Sequence, residues 1–178
     1  PSEKPVASKA KPVAEKPKLP ATGNGFSAYN SLQFKYSILI DVAVEELTNV
    51  KLLQFMDDWY GTKYRFGGSS RDGIDCSAFS GSLLLNVFGL QIPRIAKDQY
   101  TACKRIKRED LEAGDLVFFH TTRRGISHVG VYLANGKFIH ASTNYGVTIS
   151  NLDDGYYAKA FVAGGRPRSA YVPQSLGN

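Results

Sequence analysis

The sequence predicts an α+β domain in which N-terminal helices pack on a central antiparallel β-sheet, and three observations carry that prediction. Apolar residues recur at three- and four-residue spacing between Leu32 and Tyr60 and again after Asp75. The second half is instead a series of short apolar or alternating runs, DLVFFH, HVGVYL, KFIHAS, GVTIS and AKAFVAGG, divided by turn-forming residues. Helices precede strands rather than alternating with them, so one sheet face is left for the helices to cover.

The first 28 residues stand apart. PSEKPVASKAKPVAEKPKLP is Pro, Lys, Ala and Ser with no aromatic residue, and it cannot bury enough surface to offset the entropy of ordering it. Residues 1–28 are therefore expected to be a disordered tether and residues 29–178 one domain. Five lysines in the first 20 residues, against Glu3 and Glu15, supply +3 of the net +6. The remainder, also +3, has no basic helix interleaved with aromatic residues, which argues against a nucleic-acid partner. No apolar run approaches the roughly 20 residues that a membrane span needs, so membrane contact is expected only through a lipid anchor ahead of Pro1.

Two helices share the segment from Leu32 to Tyr60, where Leu47, Val50, Leu53, Met56 and Leu52, Phe55, Trp59 form the stripes, with a break near Asp41 to Glu45. YGTKYRFGGSSRDGID is rich in glycine and reads as a loop. It leads into a helix with Asp75 as N-cap, Phe79, Leu83, Leu84, Val87 and Phe88 on its apolar face, and Gly89 as its stop. A polar connection follows from Pro93 to Asp110, and then the strands.

Cys76 falls in the first turn of that third helix. Unpaired N–H groups and the helix dipole favour a thiolate there, whereas the adjacent Asp75 carboxylate opposes it, so no simple net shift is predicted. A cysteine hydrolase also needs a base and a group that orients the base. His128 and His140 flank VGVYLANGKFI, a hairpin with its turn at ANG. A two-residue Asn135-Gly136 loop would set Val131 against His140 and leave the imidazoles on opposite faces. A three-residue loop, Ala134 to Gly136, would set Gly130 against His140 and put both rings on one face, roughly 7 Å apart at Cβ. The three-residue loop is the expectation. A zinc site from Cys76, Cys103, His128 and His140 lacks a short-spaced ligand pair. Cys103 reads as incidental, with a lone disulfide to Cys76 as its alternative, and His120 as a strand-end residue. Trp59, Tyr156 and Tyr157 read as packing residues.

GTKYRFGG, GIDCSAF, PRIAKDQ, LEAGDLVFF, HVGVYL and FIHAS, in this order and spacing, resemble the NlpC/P60 peptidoglycan peptidases, a papain-like group. The resemblance covers roughly Leu52 to Arg168. It implies Cys76 as nucleophile, His128 as base and His140 as the polar third member, with no cofactor and no metal. It further implies Tyr64 as oxyanion donor, and Asp75 and Ser77 as contacts to a free amino end of the substrate. Helix capping is the competing role for that last pair. Ala78 stands where the family usually has glycine, and alanine keeps the helix. The implied substrate is a peptidoglycan stem peptide, acted on by a monomer in the bacterial envelope, periplasmic or lipid-anchored. A D,D-cross-link endopeptidase is expected over a γ-D-glutamyl-diaminopimelate endopeptidase. An inactive peptidoglycan-binding module, or an acyltransferase or amide hydrolase acting on lipids or small metabolites, is the reading from another class.

Overall fold

Asn30 opens helix α1 (Ser31–Ile40) with a reciprocal cap: its side chain accepts from the Gln33 N–H at 3.0 Å, and Gln33 Oε1 accepts from the Asn30 N–H at 2.9 Å. The structure, a computed structural model, describes residues 30–122 and 125–168. The tether expected over residues 1–28 lies outside them. After Asp41 a single 3-10 turn, Val44–Glu46, leads to Asn49, which caps α2 (Val50–Trp59) by accepting from the Leu52 N–H. The break between the helices is longer than periodicity suggests because the Gln33 amide donates to the Leu47 carbonyl at 2.9 Å and holds the connector against α1.

The glycine-rich loop contains a small ladder, β1 (Ser69–Ser70) with β2 (Gly73–Ile74), and Tyr64 bridges to Ile74 alongside it. A Cβ on Gly68 would lie 2.4 Å from the Gly73 carbonyl oxygen, so only glycine allows this approach. Asp75 then caps α3 (Cys76–Leu83), accepting from the Ala78 N–H at 2.8 Å. The helix runs on through a π-type turn, Leu84–Phe88, and stops at Gly89, whose φ is 69°.

The polar connection contains a helix and a strand, α4 (Ala96–Ala102) and β3 (Lys104–Ile106), ahead of a closing 3-10 turn, Arg108–Asp110. Neither carries an apolar stripe. The residue that α4 buries is Gln99, whose amide nitrogen donates to the Ser77 and Pro93 carbonyls at 2.9 Å each, and β3 is an edge strand with exposed or half-buried side chains. The chain then forms β4 (Leu116–Phe119), β5 (His128–Ala134), β6 (Lys137–Ser142), β7 (Gly146–Asn151), α5 (Gly155–Ala160) and β8 (Phe161–Arg166). The strand expected over AKAFVAGG begins only at Phe161, because Ala158 to Ala160 finish α5.

Six strands make one antiparallel sheet in the order β3-β8-β4-β5-β6-β7. Alternate residues point to opposite faces. Leu116, Phe118, Val129, Val131, Ile139 and Val147 join Met56, Phe79 and Leu83 in the main core, where α3 packs on β5 and β6. Val117, Phe119 and Phe138 point the other way and pack with Leu152, Tyr157 and Phe161. The sheet therefore has a second apolar face in addition to the helical one, and that face surrounds the histidines.

Candidate active site

The β5–β6 turn differs from the expected one, and yet the histidines meet. Asn135 and Gly136 both have positive φ, 48° and 74°, and form a two-residue turn closed by Ala134 against Lys137. One extra residue, Leu133, then shifts the register, so that Tyr132 faces Phe138 and Val131 faces Ile139. That register sets Gly130 opposite His140. A two-residue turn plus a one-residue bulge thus reaches the pairing that a three-residue loop would give. A Cβ on Gly130 would lie 3.2 Å from His140 Cβ and 2.6 Å from the Phe138 ring, so the bare backbone makes room for the imidazole.

The two rings touch. His128 Nε2 and His140 Nδ1 are 2.7 Å apart, with the ring planes at 87°. His140 Nε2 meets Ser150 Oγ at 3.0 Å and the Tyr157 hydroxyl at 3.3 Å. Phe119 flanks His128, and Phe138 and Tyr157 flank His140, with ring centroids 5.9, 4.9 and 5.4 Å apart. Burial in this aromatic box lowers the His128 pKa to about 4 and drives that of His140 well below the usual range, the neighbouring ring adding to the effect. Both rings are neutral at pH 7.

Cys76 reaches the same end of β5. The residue is 6% exposed, and burial raises the thiol pKa. The N–H of Val129, the residue after His128, works against that rise, as do the N–H groups of Ser77 and Cys76 itself, while the charge of Asp75 adds to it. The adjoining cleft, about 360 Å³, is lined by both histidines together with Thr121, Asn144, Tyr145 and Tyr156. A larger cleft, about 450 Å³, lies beside Cys103 and Arg168 and includes neither histidine in its lining.

On the other flank of the sulfur, Asp75 is saturated. It accepts from Arg94 at 2.7 and 3.0 Å, from the Gly67 and Ala78 N–H groups and from the Ser77 hydroxyl, which in turn accepts from Arg94 at 3.0 Å. Burial pushes the Asp75 carboxyl upward, but the Arg94 hydrogen bonds and charge, with Ala78 and Ser77, outweigh it and hold the pKa below the usual carboxylate value. The Tyr64 phenol pKa is raised by burial and by the nearby Cys76 and Asp75, which keeps the hydroxyl protonated and able to donate.

The sequence reading missed Arg94, Ser150 and the Tyr157 hydroxyl at this site. Arg94 had a signal, since it lies in PRIAKDQ, although its partner 19 residues earlier has no local mark. Tyr157 packs on Phe119 and Phe138 as its residue type suggests, but its hydroxyl also reaches His140. Trp59 packs on Phe55 and Phe79. His120 is exposed at the end of β4. Both cysteines are free thiols, and among the described residues no group of three or more His, Cys, Asp or Glu side chains gathers that could hold a metal.

A helix-start thiol beside a buried histidine pair, on helices packed against an antiparallel sheet, is the arrangement of the papain-like cysteine hydrolases. Within that class, the chain belongs to the NlpC/P60 family, whose model matches residues 61–166. It is 46% identical over 110 residues to a probable endopeptidase NlpC homolog of Haemophilus influenzae, covering 62% of this chain but only 58% of that relative. It is 36% identical over 146 residues to the murein DD-endopeptidase MepS/murein LD-carboxypeptidase of Escherichia coli K12, covering 82% of this chain and 75% of that protein. Among solved structures, an NLP/P60-family protein of Staphylococcus aureus, described as similar to a lipoprotein, superposes with a TM-score of 0.59 at 32% identity, covering 65% of this chain and 40% of that one.

Proposed function

We propose that this chain is a peptidoglycan endopeptidase that cleaves amide bonds of stem peptides through a thioester to Cys76, and that its bond is the D,D cross-link. The observation that carries the reading is the meeting, at the start of β5, of the Cys76 sulfur with the strand that bears the 2.7 Å His128–His140 pair. His140 occupies Nε2 of His128, which leaves Nδ1 for the thiol proton. Cys76 attacks the carbonyl carbon, and His128 passes the proton to the leaving amine. Water, deprotonated by His128, then releases the acyl group.

The negative oxygen formed on attack is stabilised by donors already in place. The Cys76 backbone N–H at the start of α3 is one, and the protonated Tyr64 hydroxyl is the other. In this reading a free amino end of the substrate binds at Asp75 and Ser77 by displacing part of the Arg94 contact, while the Ala78 N–H keeps Asp75 as the cap of α3, so the two roles coexist. Relatives named as murein endopeptidases support the substrate class and the cell envelope as the place of action. The choice of the D,D bond is supported by the murein DD-endopeptidase relative that spans 82% of this chain.

Digestion of purified peptidoglycan, with the fragments identified by mass spectrometry, tests the reading. Monomeric muropeptides released from cross-linked dimers by the wild type, and none by Cys76→Ala, are the expected result. Fragments cut between D-Glu and diaminopimelate would move the bond to the other stem position, and undiminished release by Cys76→Ala would overturn the thiol mechanism.

A further inference from the structure

The histidine pair does not end at His140. Its Nε2 faces two hydroxyl groups, Ser150 Oγ at 3.0 Å from β7 and Tyr157 Oη at 3.3 Å from α5, and Ser150 lies close enough to Tyr157 to pull the phenol pKa down against the effect of burial. Both come from outside the β5–β6 hairpin, and Ser150 shares the sheet face of Phe138 and His140 because alternate residues of β7 point to opposite sides.

The proton arrangement along such a chain decides whether the first member can act as a base. A neutral imidazole carries one N–H and one bare nitrogen. His128 can accept the thiol proton at Nδ1 only if its own hydrogen is on Nε2, and that hydrogen must then point at a bare Nδ1 of His140. His140 in turn must carry its hydrogen on Nε2, where it needs an acceptor. The opposite arrangement, with a hydroxyl donating to His140 Nε2, reverses each link and leaves His128 with a hydrogen facing the sulfur. That state is inert. A relay arrangement in which Ser150 accepts from His140 and turns its own hydrogen toward the neighbouring Tyr157 oxygen gives His140 its acceptor, and the half-buried Tyr157 lines the cleft, so its hydroxyl hydrogen can turn to water.

We infer that Ser150 and Tyr157 are positioning residues that hold His140 in the tautomer protonated at Nε2, and through it hold His128 ready to accept the Cys76 proton. The inference rests on the assignment of Cys76 as nucleophile and His128 as base. It predicts an effect on kcat rather than on substrate binding, since neither hydroxyl acts on the scissile bond.

Three measurements test it on the full chain. With a soluble cross-linked muropeptide as substrate, Ser150→Ala lowers kcat by about tenfold, and Ser150→Ala with Tyr157→Phe lowers it by on the order of a hundredfold, with KM changed by less than about threefold. Ser150→Thr, which keeps the hydroxyl, restores at least about half of the rate lost in Ser150→Ala. Nitrogen-15 NMR of the imidazoles, which separates protonated from bare ring nitrogen, shows His140 protonated at Nε2 in the wild type and a mixture of tautomers in the double variant. A purely packing role would leave the tautomer unchanged, and a folding defect would appear as a lowered unfolding midpoint in Ser150→Thr as well. A double variant with wild-type kcat, or a wild-type His140 protonated at Nδ1, overturns the relay while leaving Cys76 in place. Undiminished turnover by Cys76→Ala overturns the assignment beneath it and the relay together.

Discussion

Cys76 and Cys103 are hidden to the same degree, 6% and 5% exposed, and burial raises the pKa of both, yet their surroundings have little in common. Cys103 follows α4 and packs over Gly165, where an added Cβ would lie 2.9 Å from its own. Burial pushes its pKa up to about 11, with Arg105 and Arg168 pulling the other way and Asp115 adding to the rise. At Cys76 the backbone N–H groups of Val129, Ser77 and Cys76 itself favour the thiolate and pull its pKa down against burial, and a histidine-bearing strand lies beside it. Burial alone therefore does not distinguish a structural thiol from a reactive one. The difference lies in whether backbone donors and a base share the same dry space.

The largest test of that contrast removes each sulfur in turn. Cys76→Ala is expected to lower peptidoglycan digestion by on the order of a thousandfold or more, whereas Cys103→Ala changes it by about twofold at most. Release of soluble fragments is the readout, and equal effects at the two positions would erase the distinction.

The second test spares both thiols and disturbs the histidine side of Cys76. Gly130→Ala forces a methyl group to within 2.6 Å of the Phe138 ring and 3.2 Å of His140 Cβ. Overpacking of this kind costs about 1–3 kcal/mol, read from urea unfolding, and kcat should drop more than the stability does because His140 moves. Wild-type kcat in a destabilised Gly130→Ala would show that the register of β5 and β6 is not what arms Cys76.

Arg94→Ala probes the opposite flank with a smaller expected effect. It leaves the nearly buried Asp75 carboxylate short of a partner, at about 1–2 kcal/mol after allowing for the half-exposed arginine. Because the Asp75 pKa is depressed in the folded protein, its contribution is present above the unfolded carboxylate value and is lost as pH falls through the folded one. Unfolding midpoints measured from pH 7 down to pH 2 should therefore show a shallower acid limb in Arg94→Ala than in the wild type.

The mildest test is titration. Alkylation of Cys103, followed by peptide mass spectrometry, should rise only toward pH 11, tracking its thiolate. His128 binds a proton near pH 4 when folded and near 6.5 when unfolded, so between those values the unfolded state holds more protons. Stability from this group is complete above pH 6.5 and is lost as pH falls toward 4, at up to about 1.4 kcal/mol per pH unit. His140, shifted in the same direction, steepens the slope.

The legible and illegible parts of this protein separate by distance along the chain. Asp75 was readable as the cap of α3, because a cap bonds three residues away, and Cys76 follows from it. Strands β4 to β7 were readable from their short apolar or alternating runs. Helix α4 was not, since the side chain it buries is a glutamine held by carbonyls from two other segments. The polar contacts of Arg94, Ser150 and Tyr157 leave no local mark, because each reaches partners ten or more residues away from an ordinary local setting.

What the sequence determined alone was the inventory: a thiol at a helix start, two imidazoles flanking a hairpin, and a family pattern that links them. These are set by interactions spanning a few residues, and short-range backbone preferences can be read without the fold. Tertiary structure decided how the inventory is aligned. The turn at Asn135-Gly136 has the length that would have separated the histidines, and the bulge at Leu133 reverses that outcome. Where an extra residue is absorbed depends on which side chains must fill the two faces of the sheet and on the space left beside Gly130, and those quantities exist only once the strands are paired and packed.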